Sequence, residues 1–148
     1  MENLLISACL LGAPCKYTGG SNRLSEELLD RLRAEYHLIP VCPETAGGLP
    51  VPREPSERRG DRVVSISGRD VTAEYRKGAE TALRLAERFG CEAALLKERS
   101  PSCGTAGIYD GSFSGNLTEG TGTAAEKLSG AGVLLFGEGQ ADKLLERR

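Results

Sequence analysis

Residues 92–104 read EAALLKERSPSCG, an apolar run that passes directly into a loop containing proline, cysteine and glycine. Glu92–Lys97 has the length and composition of a buried strand, and the prolines and glycines after it stop regular structure. Cys103 therefore lies beyond the carboxyl end of a predicted strand. Because open α/β sheets bind their ligands at that end, this stretch predicts an element of the fold and also a place for chemistry.

The same pattern occurs twice earlier in the chain. Leu4–Ala8 is a short apolar run followed by Cys9, and His37–Val41 is another, followed by Cys42. Further strands are predicted over 62–67 and 133–136, helices over about 24–32, 71–89, 123–128 and 140–146, and loops over 46–59 and 104–122. Alternating strands and helices are typical of the α/β class. We therefore expect a Rossmann-like, mainly parallel sheet with helices on both faces, in a single domain spanning residues 1–148.

Composition narrows the classes of function. The formal charge is −2 and both signs are mixed along the chain, so no basic stripe favours a long nucleic acid. The apolar run near Met1 lacks a basic flank and is too short for a signal peptide or a membrane span. Five cysteines is an odd number, which favours reduced thiols in the cytoplasm over a disulfide framework.

Three of the cysteines are predicted to meet. Cys9, Cys42 and Cys103 each follow a strand, and the carboxyl ends of parallel strands open on one edge of the sheet. Converging thiolates repel one another unless a metal neutralises them, so an iron–sulfur or zinc site is one interpretation. The alternative is that each is a small buried apolar residue. Cys15 is a fourth ligand, a reactive thiol or a packed residue, whereas Cys91 lies at the opposite strand end and is predicted to be structural.

Two other side chains lie near the predicted edge. Glu44 follows Cys42 by two residues and can act as a general base on water, or it is a solvated loop carboxylate. Ser100 precedes Cys103 by three residues, and its alternative role is to cap a turn. The single histidine, His37, starts a strand at the other end, which makes a Ser-His or Cys-His catalytic pair improbable.

Four ordered motifs resemble the thiouracil desulfidase family, in its short form, and they span nearly the whole chain. They are Ser7-Ala8-Cys9-Leu10-Leu11-Gly12 with Cys15, Val41-Cys42-Pro43-Glu44 with Gly47-Gly48-Leu49, Pro52-Arg53 with Glu57, and Lys97-Glu98-Arg99-Ser100-Pro101-Ser102-Cys103-Gly104.

The resemblance implies a [4Fe-4S] cluster held by Cys9, Cys42 and Cys103, with its fourth iron open to the sulfur of a substrate. It also implies catalytic roles for Glu44 and Ser100 in a desulfuration without redox change, which converts a thiolated pyrimidine base or nucleoside to the oxygen form plus hydrosulfide. Two alternatives stay open. One is cluster-free sulfur transfer by a cysteine nucleophile, and the other is a non-catalytic module that binds a cluster or senses redox state.

Overall fold

The computed structural model describes residues 1–147, in which strands and helices alternate around one parallel sheet. The strands are β1 (Glu2–Ser7), β2 (Tyr36–Val41), β3 (Ser56–Arg59), β4 (Arg62–Ser65), β5 (Ala93–Leu96), β6 (Gly107–Tyr109), β7 (Leu117–Glu119) and β8 (Leu134–Gly137). The α-helices are α1 (Glu26–Glu35), α2 (Pro43–Ala46), α3 (Thr72–Arg88), α4 (Thr123–Gly130) and α5 (Ala141–Glu146), and 3₁₀ turns cover Ala8–Leu11 and Glu138–Gln140. No helix in this part of the chain combines the length and the hydrophobicity that crossing a membrane requires.

The central sheet has the strand order β2-β1-β5-β8, and every neighbouring pair is parallel. In the middle of the sheet, Leu5 is paired with Ile39 on β2 and with Ala94 on β5. The prediction of an α/β fold with a mainly parallel sheet is therefore confirmed. All four strands point the same way, so their carboxyl ends lie on one edge.

Helices cover both faces of this sheet because successive strand side chains point in opposite directions. Leu5 and Ala94 pack on one face with the small-residue surfaces of α3 and α4. Leu4 and Ile6 pack on the other face with residues of α1 and α5. The apolar runs identified in the sequence are thus strands buried on both sides, as parallel sheets require.

The structure differs from the sequence-based expectation mainly in the segments predicted as loops. The segment 46–59 begins at the last residue of α2 and contains β3, which pairs with β4 as an antiparallel hairpin. The segment 104–122 contains a second hairpin, β6–β7. The first strand ends at Ser7, where a 3₁₀ turn begins. Strand β4 confirms the strand predicted over 62–67, whereas β3 reads Ser-Glu-Arg-Arg and β6 and β7 have three residues each, so no apolar alternation marks these three strands in the sequence.

Two glycines bring α2 unusually close to α3. A Cβ atom on Gly78 of α3 would lie 1.8 Å from the carbonyl oxygen of Pro43, and one on Gly47 would lie 1.9 Å from the carbonyl oxygen of Glu74. Since no side chain fits at either position, the backbones of the two helices touch directly. This contact fixes the position of α2, the helix that carries Glu44.

We predict that Gly78→Ala destabilises the protein. The added methyl group meets a backbone oxygen, so α2 must move, and overpacking of this kind costs about 1–3 kcal/mol in the free energy of unfolding. The gain in helix propensity of up to about 1 kcal/mol offsets only part of that cost. Urea denaturation measures the difference.

The matched control is Gly130→Ala at the end of α4, where an added Cβ has no neighbour within 4 Å. This variant should be as stable as the parent protein or slightly more stable. If the two alanine variants unfold at the same urea concentration, the close approach of α2 to α3 is incorrect.

Candidate functional site

A cavity of about 550 Å³ opens at the carboxyl ends of β1, β2 and β5. Its volume lies within the range of about 300–1,000 Å³ that is usual for small-molecule and cofactor sites. The polar and aromatic residues on its wall are Ser7, Cys9, Cys15, Lys16, Tyr17, Asn22, Cys42, Glu44, Arg53, Ser56, Glu57, Lys97, Glu98, Arg99, Ser100, Ser102, Cys103, Tyr109 and Phe113.

Four cysteines lie on this wall, and each comes from a different turn or loop position. Cys9 is in the 3₁₀ turn after β1, Cys42 lies between β2 and α2, and Cys103 is in the loop after β5. Cys15 is their neighbour, because the thiol of Cys42 points to its carbonyl oxygen at 3.9 Å. Cys91 is buried at the start of β5 and is absent from the wall. All five thiols are free, and the structure brings together the three that the sequence singles out.

The cysteines of the wall offer sulfur, the ligand that iron–sulfur clusters take from proteins. Within residues 1–147, no group of three or more His, Cys, Asp and Glu side chains is arranged to hold one ion by itself. A cluster has a different requirement, because each cysteine binds a different iron and the thiols therefore surround the cubane. His37, the single histidine, is exposed near the start of β2, so the wall offers sulfur ligands without imidazole. Cys9, Cys42 and Cys103 are the residues that fit this group.

Burial keeps Cys9 and Cys103 protonated when no cation is near, because it raises the pKa of both thiols. It raises the pKa of Cys103 to about 12, although hydrogen bonds from Ser7 and Ser102 act in the opposite direction. The pKa of Cys9 is also raised by burial, against a hydrogen bond from Asn22. Thiolates in this cavity therefore need positive charge, which iron supplies.

The carboxylate of Glu44 is held by side chains from three other segments. Its Oε1 accepts hydrogen bonds from the hydroxyl of Tyr75 at 2.8 Å and from Nε of Arg53 at 3.2 Å, and its Oε2 accepts one from Oγ of Ser102 at 3.0 Å. The Glu44 side chain is only 15% exposed and that of Arg53 only 7%. The alternative of a solvated loop carboxylate is therefore wrong.

Tyr75 and Arg53 fix the orientation of the Glu44 carboxylate, because both donate to its Oε1. Burial, and then the negative charge of Glu44, raise the pKa of Tyr75, so its hydroxyl stays a donor. Arg53 also donates to the carbonyl oxygens of Cys15 at 2.9 Å and Pro50 at 3.2 Å. One guanidinium thus ties the carboxylate to the loop that carries Cys15.

Ser100 caps a turn and reaches Glu44 only through Ser102. Its Oγ accepts from the backbone N–H groups of Ser102 and Cys103, both at 3.1 Å, as the capping alternative predicted. The two serine hydroxyls are 2.9 Å apart. Ser102 has one hydroxyl proton and two acceptors, Oε2 of Glu44 at 3.0 Å and the thiol sulfur of Cys103 at 3.6 Å. When that proton points to Glu44, the Ser100 hydroxyl can donate to Ser102, and the three groups form one chain.

Sequence reasoning missed Ser102, Arg53 and Tyr75 as parts of this network. Ser102 stands beside Cys103, and Arg53 lies in one of the quoted motifs, so both had a local signal. Tyr75 had none, because its position on the buried face of α3 is that of an ordinary core residue.

Comparison with known proteins identifies relatives of this chain. The model of the 2-thiouracil desulfurase family matches residues 4–140. The uncharacterized protein YbbK of Bacillus subtilis (strain 168) is 37% identical over 152 residues, which cover 96% of this chain and 99% of the relative. A solved structure of the [4Fe-4S]-dependent thiouracil desulfidase TudS is 47% identical and covers 99% of this chain and 97% of its own, with a TM-score of 0.95. The chain therefore belongs to the 2-thiouracil desulfurase family.

Proposed function

We propose that this protein is a desulfidase that hydrolyses the carbon–sulfur bond of thiolated pyrimidines, with a [4Fe-4S] cluster held by Cys9, Cys42 and Cys103. The observation that carries the proposal is that one cavity holds these three thiols and the hydrogen-bonded carboxylate of Glu44. The solved relative, at 47% identity, is a [4Fe-4S]-dependent thiouracil desulfidase. The five free thiols suit a reducing compartment such as the cytoplasm.

The cluster and the protein have separate tasks in this proposal. When bound, a cluster with three protein ligands supplies one iron with a coordination position open to a soft thione sulfur. Catalytic metal sites in general keep such a position free for substrate or water. The remaining chemistry, which concerns the water molecule and the protons, falls to the side chains of the wall.

Glu44 is the general base for water. Tyr75 and Arg53 both bind Oε1, so the carboxylate cannot rotate freely, and within residues 1–147 Oε2 accepts one side-chain hydrogen bond, from the Ser102 hydroxyl. A water molecule beside Oε2 gives one proton to the carboxylate while its oxygen attacks the ring carbon that bears sulfur. Positioned bases of this kind contribute about 10²–10⁴-fold to a rate.

The serine chain carries a proton between the substrate and Glu44. Once Glu44 holds the proton taken from water, the two hydroxyls can turn so that Oε2 gives a proton to Ser102, Ser102 gives one to Ser100, and Ser100 gives one to the substrate, along hydrogen bonds of 3.0 and 2.9 Å. The overall reaction consumes one water molecule, whose oxygen replaces sulfur on the ring, and releases hydrosulfide and one proton. No group is oxidised or reduced.

The cluster-free alternative requires a thiolate nucleophile. Burial raises the pKa of Cys103 to about 12 and also raises that of Cys15, beside the neighbouring Cys42. Neither thiol is ionised to a useful extent at neutral pH, and the thiol form is a poor nucleophile. A non-catalytic cluster carrier, in turn, has no need for the buried Glu44 network.

Anaerobic reconstitution followed by a sulfide-release assay tests the proposal. We expect about four irons and four inorganic sulfides per chain, and steady release of sulfide from 2-thiouracil over many turnovers. Activity in iron-free protein would support the cysteine nucleophile instead. A stable cluster without turnover on any thiopyrimidine would support the non-catalytic module.

Replacing single cysteines tests the ligand set. We expect Cys9→Ser, Cys42→Ser and Cys103→Ser each to lose most of the iron and the visible absorbance of the reconstituted protein. Cys91→Ser is the matched control and should keep both, because Cys91 lies away from the cavity. Cys15→Ser should also keep the cluster, and loss of iron in that variant would mean that Cys15 is a fourth ligand.

Glu44→Gln should keep the cluster and lower kcat. The amide retains the size of the side chain but cannot accept a proton, so kcat should fall by about 10²–10⁴-fold with little change in iron content. Glu27→Gln on the exposed surface of α1 is the control and should be unchanged. Near-normal turnover by Glu44→Gln would show that another group is the base.

A further inference from the structure

Part of the cavity wall comes from the two hairpins, of whose four strands the sequence predicted only β4. Glu57 of β3, Tyr109 of β6 and Phe113 of the loop between β6 and β7 all line the cavity. None of them has a part in the proposed handling of water and protons. The role of the half-buried Phe113 ring follows from its backbone conformation and its contacts.

Phe113 adopts a backbone conformation that bulky residues rarely use. Its φ is +55°, in the left-handed region that is a genuine outlier for a residue of this size. Such conformations persist only where surrounding contacts enforce them, and they cluster at ligand sites. Contacts with other residues, and not the backbone preference of phenylalanine, therefore place the ring at the cavity.

The contacts that enforce this conformation come from β3. Oε1 of Glu57 accepts hydrogen bonds from the backbone N–H of Gly111 at 3.0 Å and of Phe113 at 3.1 Å. Nε of Arg59 donates to the carbonyl oxygen of Gly111 at 2.7 Å, and the Arg59 guanidinium lies over the Phe113 ring, 5.9 Å from its centroid. Three hydrogen bonds and one guanidinium–ring contact from β3 therefore hold the loop between β6 and β7.

We propose that Phe113 is the surface on which the flat heteroaromatic ring of the substrate stacks, and that Glu57 is the positioning residue that holds it there. The proposal rests on the proposed function for the class of substrate. The Arg59 guanidinium covers one face of the Phe113 ring, so a planar ligand in the cavity meets the opposite face. Aromatic side chains bind bases in this way without regard to their substituents. Stacking fixes the plane of the pyrimidine, and the thione sulfur is then directed within that plane.

The experiment compares variants at position 113 in the cluster-loaded enzyme. Phe113→Gly removes the ring but favours the positive φ, so the loop keeps its conformation. We expect KM for 2-thiouracil and Kd for uracil, measured by calorimetry, each to rise about tenfold, the effect of losing one base–aromatic stack. The value of kcat should change much less. Phe113→Tyr should behave as the parent protein, and so should Phe89→Ala, which alters an exposed phenylalanine elsewhere.

Variants at Glu57 separate positioning from charge. Glu57→Gln keeps the acceptor oxygen and should leave KM within about twofold, whereas Glu57→Ala should raise it as Phe113→Gly does. Should the glycine variant fail to fold, Phe113→Leu, which keeps an apolar side chain without an aromatic face, provides the same comparison.

Parent-like KM and Kd in Phe113→Gly would overturn the stacking proposal, and a loss in Glu57→Gln equal to that in Glu57→Ala would overturn the positioning role. Failure of the proposed function is a separate result. In that case the parent enzyme releases no sulfide, while uracil binding still responds to Phe113.

Discussion

The site depends on the parallel pairing of β1 with β2 on one side and with β5 on the other. Parallel strands end on the same edge of a sheet, and three loops that are far apart in sequence then start from neighbouring points. Each loop carries one of the three predicted ligands, Cys9, Cys42 and Cys103. The loop after β1 also carries Cys15, and α2, which follows Cys42, carries Glu44. An antiparallel arrangement of the same strands would place these groups on opposite edges. Helices on both faces bury the apolar runs, and the cavity with the cysteines opens at this edge of the sheet.

A second constraint is the carboxylate of Glu44, whose side chain is mostly buried in the cavity wall. The carboxylate is stable there because Arg53 is equally buried beside it and because Tyr75 and Ser102 donate hydrogen bonds to it. Removing one partner of a buried ion pair generally costs about 3–5 kcal/mol, because the other charge is left unpaired. The contacts that stabilise the buried carboxylate are therefore the same contacts that fix its position in the cavity wall. It links α2, α3, the Arg53 loop and the Ser102 loop through one functional group.

The hairpins contribute in a different way from the sheet. Their strands have three or four residues each, and the side chains of Glu57 and Arg59 connect the first hairpin to the loop of the second. The sheet edge holds the groups common to the proposed chemistry, and the hairpins form the side of the cavity where the substrate ring is recognised.

The sequence by itself determined the α/β class, most of the central strands and the three cysteine loops, because apolar runs and their periodicity are local signals. Helix α3 was predicted within one residue at each end, and Gly90 ends it with a positive φ. Strands β3, β6 and β7, helix α2 and the meeting of Glu44 with its partners were decided by the tertiary structure alone. Tyr75, Arg53 and Ser102 come from separate segments, and nothing in the sequence around Tyr75 distinguishes it from a core residue. Short polar strands and converging hydrogen bonds arise from contacts between distant segments, and for that reason they leave no periodic trace in the chain.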